Sequence, residues 1–442
     1  MVRSLAMSAD KVAGLGARFW KLWAASTTSA LGSGLATIAT PLFVASRTSD
    51  PLIISAAFGV AWLPWLLFAL PGGVLVDRVD RRRLMIAIDS ARVAAMGLLA
   101  AAILTGWASI ALLYAVLFVV NTGEIVFRSA SQAMIPAVVA TDKLERANGL
   151  LVGGDTVMQD MVAGPLGGFL FALAAGLPFL ANAGTYAASA ILIGWIAGTY
   201  RPRAVPGQPS DCLPTEADEA PPPPDSVWAD VAEGFRWLIR QRLLRTMAIL
   251  IGLLNLTLTA ALAVLVLLAR ERLHLGSVGY GLLFTSSAAG GVLGSVIGDR
   301  LIALVTATWT VRIGLLVEAG LHLTLATSRS AFLVGFALFA FGIHAALWTI
   351  VSSSLRQRLT PPAMMGRIGS TNLFIGAGGN CVGALLGGVV ARDFGITAPY
   401  WAGFAVAIAV SATTWRVFSR STMAAAYAAP DHRDTGELPA IA

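Results

Sequence analysis

Long apolar segments alternate with short polar ones along almost the whole chain. A helix that crosses a membrane needs about 20 mainly apolar residues, and twelve segments reach that length. They lie at residues 20–45, 51–76, 84–104, 108–128, 147–172, 178–200, 246–268, 278–298, 309–327, 331–352, 369–391 and 397–417. The pattern predicts an all-α membrane protein with twelve transmembrane helices.

One long polar segment, residues 201–245, interrupts this pattern. Its first part is rich in proline and acidic residues and buries nothing, so we expect a flexible tether. In its second part, apolar residues recur at helical spacing with arginines between them, which is typical of a helix lying on a membrane surface. Those apolar residues are Trp228, Val231, Phe235, Leu238 and Ile239. A regulatory docking site in the linker is the alternative.

The segments on either side of this linker resemble each other. The pair Gly167-Gly168 recurs as Gly387-Gly388, and Asp77-Arg78 recurs as Asp299-Arg300. Each offset is close to half the chain, which indicates two six-helix repeats. We therefore expect a tail at residues 1–19, a six-helix bundle at 20–200, the linker at 201–245, a second bundle at 246–417 and a tail at 418–442.

Composition and charge distribution support a membrane protein with a defined orientation. Of the 442 residues, 57% are hydrophobic and 12% are charged, whereas soluble proteins carry about 25% charged residues. The net charge of +7 comes from basic residues in the short segments between apolar runs, so it indicates orientation and no nucleic-acid partner. If the N-terminus is cytoplasmic, most of the 31 lysines and arginines fall on the cytoplasmic side, and five fall outside. We expect both termini to be cytoplasmic, in a bacterial plasma membrane.

Motifs for enzymatic chemistry are absent from the sequence. It contains no phosphate loop GxxxxGK[ST], no HExxH and no GxSxG, so neither ATP hydrolysis nor metal-assisted or serine hydrolysis has residues to carry it. The two cysteines, Cys212 in the linker and Cys381 in an apolar segment, indicate no disulfide or metal framework. We therefore predict that the protein is not an enzyme and has no cofactor and no metal.

The densest group of charges is the short loop within Gly72–Leu84, GGVLVDRVDRRRL. It resembles the signature loop GxLxDRxGRRxxL of the major facilitator superfamily, between that family's helices 2 and 3. The resemblance implies a conformational gate in which Asp77 faces the N-terminal end of helix 11. The matching gate residues are Gly73, Asp77, Arg78, Arg81 and Arg82. Asp80 replaces the glycine that usually eases the turn.

A second motif in the fifth apolar segment is similar to the superfamily's antiporter motif GxxxGPxxGG. Gly164, Pro165, Gly167 and Gly168 match it, while Asp160 takes the place of the upstream glycine. Glycines allow close helix contacts, and a proline bends a helix where neighbours can satisfy its backbone. A purely structural small-residue contact is the alternative. The departure at Asp160 singles out this acid.

The loops at residues 131–149 and 355–370 resemble those of the superfamily's drug and siderophore exporter branch, which includes macrolide efflux proteins and the enterobactin exporter. The resemblance implies two pseudo-symmetric six-helix bundles around a central cavity. It implies a secondary transporter, a monomer surrounded by lipid, that exports amphipathic small molecules in exchange for protons. Alternatives are an importer or facilitator of a small metabolite, and a transporter-like sensor that moves nothing. The superfamily's helix 4 arginine is replaced near Val119.

Ionisable residues inside predicted spans are costly to insert, at about 2.5–3.5 kcal/mol each, and are functional candidates by default. Asp89 and Arg92 are three residues apart and are expected to pair. The proton-coupling candidates are Asp160, Asp155, Glu124 and Glu318. The alternative for Asp155 and Glu124 is a gate ion pair with Arg128, and the alternative for Glu318 is a structural pair with His322.

Asp160 is the preferred coupling residue. It lies about 20 Å into the fifth helix, close to the membrane centre, on the same stripe as the motif glycines. An interface that opens and closes would alternately wet and bury it, and burial disfavours the charged form of a carboxylate. A static hydrogen-bonded acid is the alternative. The candidates for the substrate cavity are His344, Trp348 and Asn255, although a core histidine is the commoner fate.

Overall fold

The computed structural model describes residues 14–76, 79–198, 200, 227–361 and 364–428. Within these ranges the chain is helical and contains no strand. The first half consists of α1 (Gly16–Arg47), α2 (Pro51–Val76), α3 (Arg81–Leu104), α4 (Ile110–Val138), α5 (Leu144–Thr156, the π-helical turn Val157–Val162 and Ala163–Leu173) and α6 (Leu177–Gly194). A 3₁₀ turn, Thr141–Lys143, precedes α5.

The second half begins with the linker helix and repeats the pattern. It consists of α7 (Val227–Arg240), α8 (Arg242–Ala263, followed by the short helix Leu265–Glu271), α9 (Ser277–Val305), α10 (Ala307–Thr327), α11 (Ala331–Leu359), α12 (Met365–Phe394), α13 (Ala398–Thr414) and α14 (Arg420–Ala428). The helix predicted from the apolar spacing of the linker is therefore present as α7. The predicted gate residues Asp77 and Arg78 and the proline-rich linker lie outside the described residues.

Ten helices in the described ranges are long and apolar enough to cross a membrane. Two more, α10 and α13, fall below that threshold. The apolar run of α10 is interrupted by Arg312 and Glu318, and α13 has 17 residues, about 25 Å of helix. These two helices pack against each other in the second bundle. The structure is thus consistent with twelve membrane helices, α1 to α6 and α8 to α13.

Several helices extend beyond the apolar segments that predict them. The predicted spans end at residues 128, 298 and 352, whereas α4 continues to Val138, α9 to Val305 and α11 to Leu359. The apolar pattern stops where the membrane would end, but backbone hydrogen bonds continue the helix through polar residues. The sequence pattern therefore locates the membrane-embedded part of each helix and not its full length.

Asp80 explains how the chain turns into α3 without the usual glycine. Its backbone is extended, with φ −66°, so no left-handed conformation is required. Its Oδ1 accepts a hydrogen bond from Arg83 N, and its Oδ2 accepts one from Tyr200 N, both at 2.9 Å. An aspartate at this position caps the helix with a side-chain hydrogen bond, which glycine cannot form.

The duplicated glycine pairs occupy equivalent places in the two halves. A methyl group in place of the Gly168 hydrogen would lie 2.3 Å from Ser277 O of α9, and one at Gly388 would lie 1.9 Å from Ser55 Oγ of α2. Each pair's second glycine therefore contacts the other half, while Gly167 packs on α1 and Gly387 on α8 within their own halves. The repeat seen in the sequence is a repeat of packing.

The two halves meet at one end of the molecule and separate at the other. We call the end that carries Arg81–Arg83 the arginine-rich end. There, buried apolar residues form two clusters, one within each half. At the opposite end a single cluster contains residues of both halves, including Phe43 of α1, Leu265 of the short helix after α8 and Tyr280 of α9. The space between the halves is therefore closed at the opposite end and open toward the arginine-rich end.

Candidate functional site: the central cavity

A cavity of about 780 Å³ lies between the two halves. Its charged lining residues all come from the first half, on α3, α4 and the π-helical turn of α5. They are Arg92, Glu124, Arg128 and Asp160. The second half contributes Asn255, Thr259, Asn380 and apolar side chains, and Thr259 Oγ1 donates to Asn380 Oδ1 at 2.7 Å. One wall is thus charged and the other neutral.

Arg92 is the most tightly held charged residue of this wall. Its side chain is almost fully buried, and it donates hydrogen bonds to Asp89 Oδ1 at 3.2 Å and to Glu124 Oε2. It also donates to Tyr186 Oη at 2.8 Å, and its guanidinium carbon lies 3.8 Å from the centre of the Tyr186 ring. The expected Asp89–Arg92 pair is therefore present, as part of a larger network that the sequence spacing does not reveal.

Glu124 lies between two guanidinium groups. Besides Arg92, it accepts a hydrogen bond from Arg128 Nε at 2.5 Å and from Ser33 Oγ at 2.9 Å. Arg128 also donates to Gln159 Oε1 at 2.5 Å. Two arginines compensate the charge of Glu124, so of its two predicted roles the ion pair matches the geometry better than that of a free proton carrier.

Asp160 differs from Glu124 because its side chain is exposed to the cavity. Among the described residues it has no hydrogen-bond or ion-pair partner. Asp155, one turn earlier, is half-buried, and its Oδ1 is buried without a hydrogen-bond partner. Both acids line a smaller cavity of about 200 Å³ beside Glu124 and Arg128. Together with Asp89 and Glu124, this wall therefore carries four acidic residues and only two arginines.

The π-helical turn Val157–Val162 positions Asp160. Such turns occur frequently at functional sites. Pro165 cannot donate a hydrogen bond to Met161 O, one turn earlier, and that carbonyl instead accepts one from Thr285 Oγ1 of α9 at 3.2 Å. The same hydroxyl lies 3.3 Å from Gly281 O. The proline of the motif thus frees a carbonyl that binds the other half of the molecule.

The motif glycines bring the halves into backbone contact beside Asp160. A methyl group at Gly164 would lie 2.7 Å from Gly281 O, and one at Gly281 would lie 2.0 Å from Gly164 O. Asp160 also lines a second cavity between the halves, of about 450 Å³, together with residues of α9 and α11. The acid therefore lies beside the contact between the two halves.

The remaining surface of the central cavity is largely apolar and aromatic. Trp62 and Trp65 of α2 line it with ring centres 6.4 Å apart, and Phe58 and Phe284 add to this surface. Such a pocket, apolar with few polar groups, is typical of small-molecule sites. Other tryptophans, such as Trp107 and Trp195, are exposed on the outside of the protein.

Two of the three residues predicted for the substrate cavity lie elsewhere. Asn255 lines the cavity, but His344 packs against α10 with Nε2 4.0 Å from Glu318, and Trp348 packs on the apolar cluster of the second half. His344 and Trp348 are therefore not on the face of α11 that was predicted to line the cavity. The face of α11 toward the space between the halves carries Gly342, Ala345 and Thr349 instead.

The gate arginines in the described ranges bind within their own half. Arg81 Nη1 donates to Ala133 O at 3.0 Å, and Arg82 donates to Ile193 O and Gly194 O at the end of α6. Positive charge is favourable at a helix C-terminus, so Arg82 fixes this loop to the first bundle. Gly73 lies in the last turns of α2.

Contacts that close the opposite end were missed by the sequence analysis. Asp50 at the start of α2 lies 4.0 Å from Arg392 at the end of α12. Arg270 Nη1 donates to Ala45 O of α1. Both contacts join the two halves. Arg270 and Arg392 are among the few basic residues on the side predicted to be external. Because the orientation rule does not explain basic residues on that side, these two positions could have been singled out from the sequence.

The chain matches the profile of a family described as transmembrane secretion effector over residues 15–439. Enterobactin exporter EntS of Escherichia coli O1:K1 is 25% identical over 398 residues, covering 86% of this chain and 87% of the relative. Macrolide efflux protein A of Streptococcus pyogenes is 27% identical over 132 residues, covering 30% of this chain. That match spans about a third of the macrolide relative's length, 33%.

Solved structures of transporters share the fold at low sequence identity. The nucleoside transporter NupG superposes with a TM-score of 0.65 at 12% identity, covering 93% of this chain and 100% of its own. A bacterial homologue of the iron transporter ferroportin, in an inward-facing state, gives 0.67 at 14% identity, covering 91% and 99%. The predicted all-α transporter fold is confirmed, and twelve membrane helices are consistent with it.

Proposed function

Because this chain belongs to the transmembrane secretion effector family, within the major facilitator superfamily, we propose that it exports amphipathic small molecules across the bacterial plasma membrane in exchange for protons. The observation that carries the proposal is the central cavity, which combines an aromatic surface with an acid, Asp160, that has no partner among the described residues. An amphipathic substrate needs such a surface, and coupling needs a group that can gain and lose a proton.

We propose that the arginine-rich end is cytoplasmic. Basic residues flanking apolar segments remain on that side, and the arginines of the described ends cluster there. The structure is then inward-open, with the cavity accessible from the cytoplasm. Export requires loading from this side, so the cavity is open where the substrate is collected. Both termini are cytoplasmic in this arrangement, and the boundaries 20–200 and 246–417 delimit the two rocking bundles of a monomer.

The charge of the cavity favours a cationic substrate over an anionic one. Four acids and two arginines lie on or beside the charged wall, and Asp160 is the acid that forms no hydrogen bond or ion pair in the described ranges. A positively charged group on the substrate can approach Asp160 while its apolar part lies against Trp62 and Trp65. Between the activities named for the two curated relatives, this favours macrolide-like compounds with a basic amine.

Coupling follows from competition for Asp160. A proton and a cationic substrate group both neutralise this carboxylate, so the occupied cavity holds one or the other. Substrate loading from the cytoplasm releases the proton there, and a proton arriving from outside displaces the substrate. Glu124 and Asp155 contribute as neighbouring acids, with Glu124 held by its two arginines.

The test is exchange transport by the purified full chain in proteoliposomes. Vesicles are loaded with excess unlabelled compound, and uptake of the labelled compound is followed for cationic dyes, macrolides and a catecholate siderophore. We expect exchange of the cationic amphiphiles and none of the siderophore. Exchange of the siderophore without the cationic amphiphiles would reject the cationic substrate, and no exchange of any of these compounds would favour the importer or the sensor.

A further inference from the structure

A second group of titratable side chains is buried in the second half, away from the central cavity. Glu318 and His322 lie one turn apart on α10, and His344 comes from α11. Glu318 Oε1 is 3.5 Å from His322 Nε2, and Glu318 Oε2 is 4.0 Å from His344 Nε2. The three residues are 2%, 0% and 6% exposed. We call them the α10–α11 triad.

Two glycines make the space that the imidazole rings occupy. A methyl group at Gly314 of α10 would lie 2.1 Å from His344 Nδ1, and one at Gly403 of α13 would lie 2.4 Å from His322 Nδ1. Each ring therefore lies directly on the backbone of a neighbouring helix. Both rings have little freedom to turn away from Glu318, so the triad is a fixed arrangement.

The polar atoms of the triad are incompletely satisfied. Glu318 Oε1 and both nitrogens of His322 have no hydrogen-bond partner among the described residues, although buried polar groups are normally paired. Charged groups elsewhere do not compensate. Arg312, on the same helix, donates to Trp415 O. α13 carries no charged residue, and its buried Tyr400 is neutral. Charged residues of the other packed helices lie toward their ends: Arg242, Arg245, Asp299, Arg300, Arg356, Arg358 and Arg420.

We propose that the α10–α11 triad binds one proton in this conformation, as a second proton site separate from Asp160. Without a proton, the ionised Glu318 would be a buried negative charge with two neutral imidazoles. With one proton, whether on the carboxyl or on an imidazole, the triad is neutral overall. A second proton would leave a buried positive charge. Burial disfavours both charged states.

The position of α11 connects this proton to the transport cycle. One face of α11 carries His344 and contacts α10, and its other face contributes Gly342 and Thr349 to the cavity between the halves. On the first face, the triad supplies the polar contact between α10 and α11. Loss of its proton leaves Glu318 charged, draws water toward it and weakens that contact, so the wall of the cavity moves. This link to transport rests on the proposed function, whereas proton binding itself does not.

The experiment counts protons released by the purified full chain when the pH is raised from neutral to alkaline. Wild type is compared with Glu318→Gln and with Glu318→Met, an apolar side chain of similar length that serves if the amide variant fails to fold. We expect wild type to release one proton more than either variant. Its thermal unfolding midpoint should fall more steeply with rising pH, because the folded state alone holds this proton.

The surface variant Glu145→Gln is the matched control and should release as many protons as wild type over this range. Equal proton release and equal pH slopes in wild type and a folded Glu318 variant would overturn the proposal. Asp160→Asn should keep the extra proton of the triad. The two proposals can fail separately. If the triad releases its proton but transport needs no pH gradient, the proposed function is rejected and the second proton site is retained.

Discussion

The carboxylates of the first half are distinguished by their partners. Glu124 is held by two arginines and a serine, whereas Asp160 faces the cavity and has none in the described ranges. The departure from a glycine motif singles out Asp160 in the sequence, but the partners of Glu124 and Asp155 cannot be predicted from their spacing. Their difference depends on residues distant in the chain, such as Ser33, Arg92 and Gln159, and spacing along one helix does not report such contacts.

For Asp160→Asn we expect loss of pH-driven uphill efflux with exchange of substrate preserved. The amide keeps the shape of the side chain but cannot bind and release the proton. Uphill efflux and exchange are measured in the same proteoliposomes, with the exposed Asp142→Asn as the control that retains both. A variant that still pumps against a gradient would refute the assignment of the coupling proton.

For Glu124→Gln we expect a loss of stability of about 3 kcal/mol, since removing one member of a buried ion pair leaves the other charge uncompensated. Arg92 would lose its contact with a carboxylate on α4, although Asp89 remains. The unfolding midpoint of purified protein measures this, with the exposed Glu145→Gln as control. An unchanged midpoint would mean that the network around Arg92 does not contribute to stability.

The number and order of the helices were predicted well from the sequence, whereas the contacts between the helices were predicted poorly. Twelve apolar segments became helices at the expected places because their composition requires burial in lipid. The repeat of glycine pairs predicted the duplicated bundles. Rotation about the helix axis was not predictable, and it explains the error at His344 and Trp348. On α11 nearly every residue is apolar or small, so periodicity does not reveal which face meets the cavity.

The glycine contacts between α5 and α9 give an element-level prediction. Gly168→Ala places a methyl group 2.3 Å from Ser277 O, a backbone atom that cannot move aside without shifting α9. We expect the halves to separate at this contact and transport to fall at least tenfold in protein that is still folded. Gly320→Ala on α10, where a methyl group meets nothing within 4 Å, is the matched control. Equal transport by both variants would show that this contact does not limit the cycle.

At the scale of the whole molecule, the opposite end is held by contacts between the halves that must break for the cavity to open there. The Asp50–Arg392 pair is partly exposed, and such pairs contribute about 0.2–1 kcal/mol. For Arg392→Gln we therefore expect a rise of at most about fivefold in the population open at that end. The introduced cysteine Thr40→Cys, in protein with Cys212 and Cys381 both replaced by Ser, reports this population through its reaction with a membrane-impermeant thiol reagent added only at the opposite end.

Arg329→Gln is the control for that measurement, because Arg329 is exposed at the same end and forms no described ion pair. If both variants raise the accessibility equally, net charge at this end matters and the pair does not. If neither variant does, the apolar cluster that joins the two halves holds this end closed without help from the ion pair.

The central claim is that inward proton movement drives substrate outward, and one measurement tests it most directly. Everted membrane vesicles expose the cytoplasmic side of the protein to the medium. When their interior is made acidic, a cationic amphiphile that exchanges in proteoliposomes should accumulate inside against its gradient. Accumulation should stop on addition of a protonophore and should be absent with Asp160→Asn. Accumulation that persists without a pH gradient, or that occurs in right-side-out vesicles instead, would contradict the account.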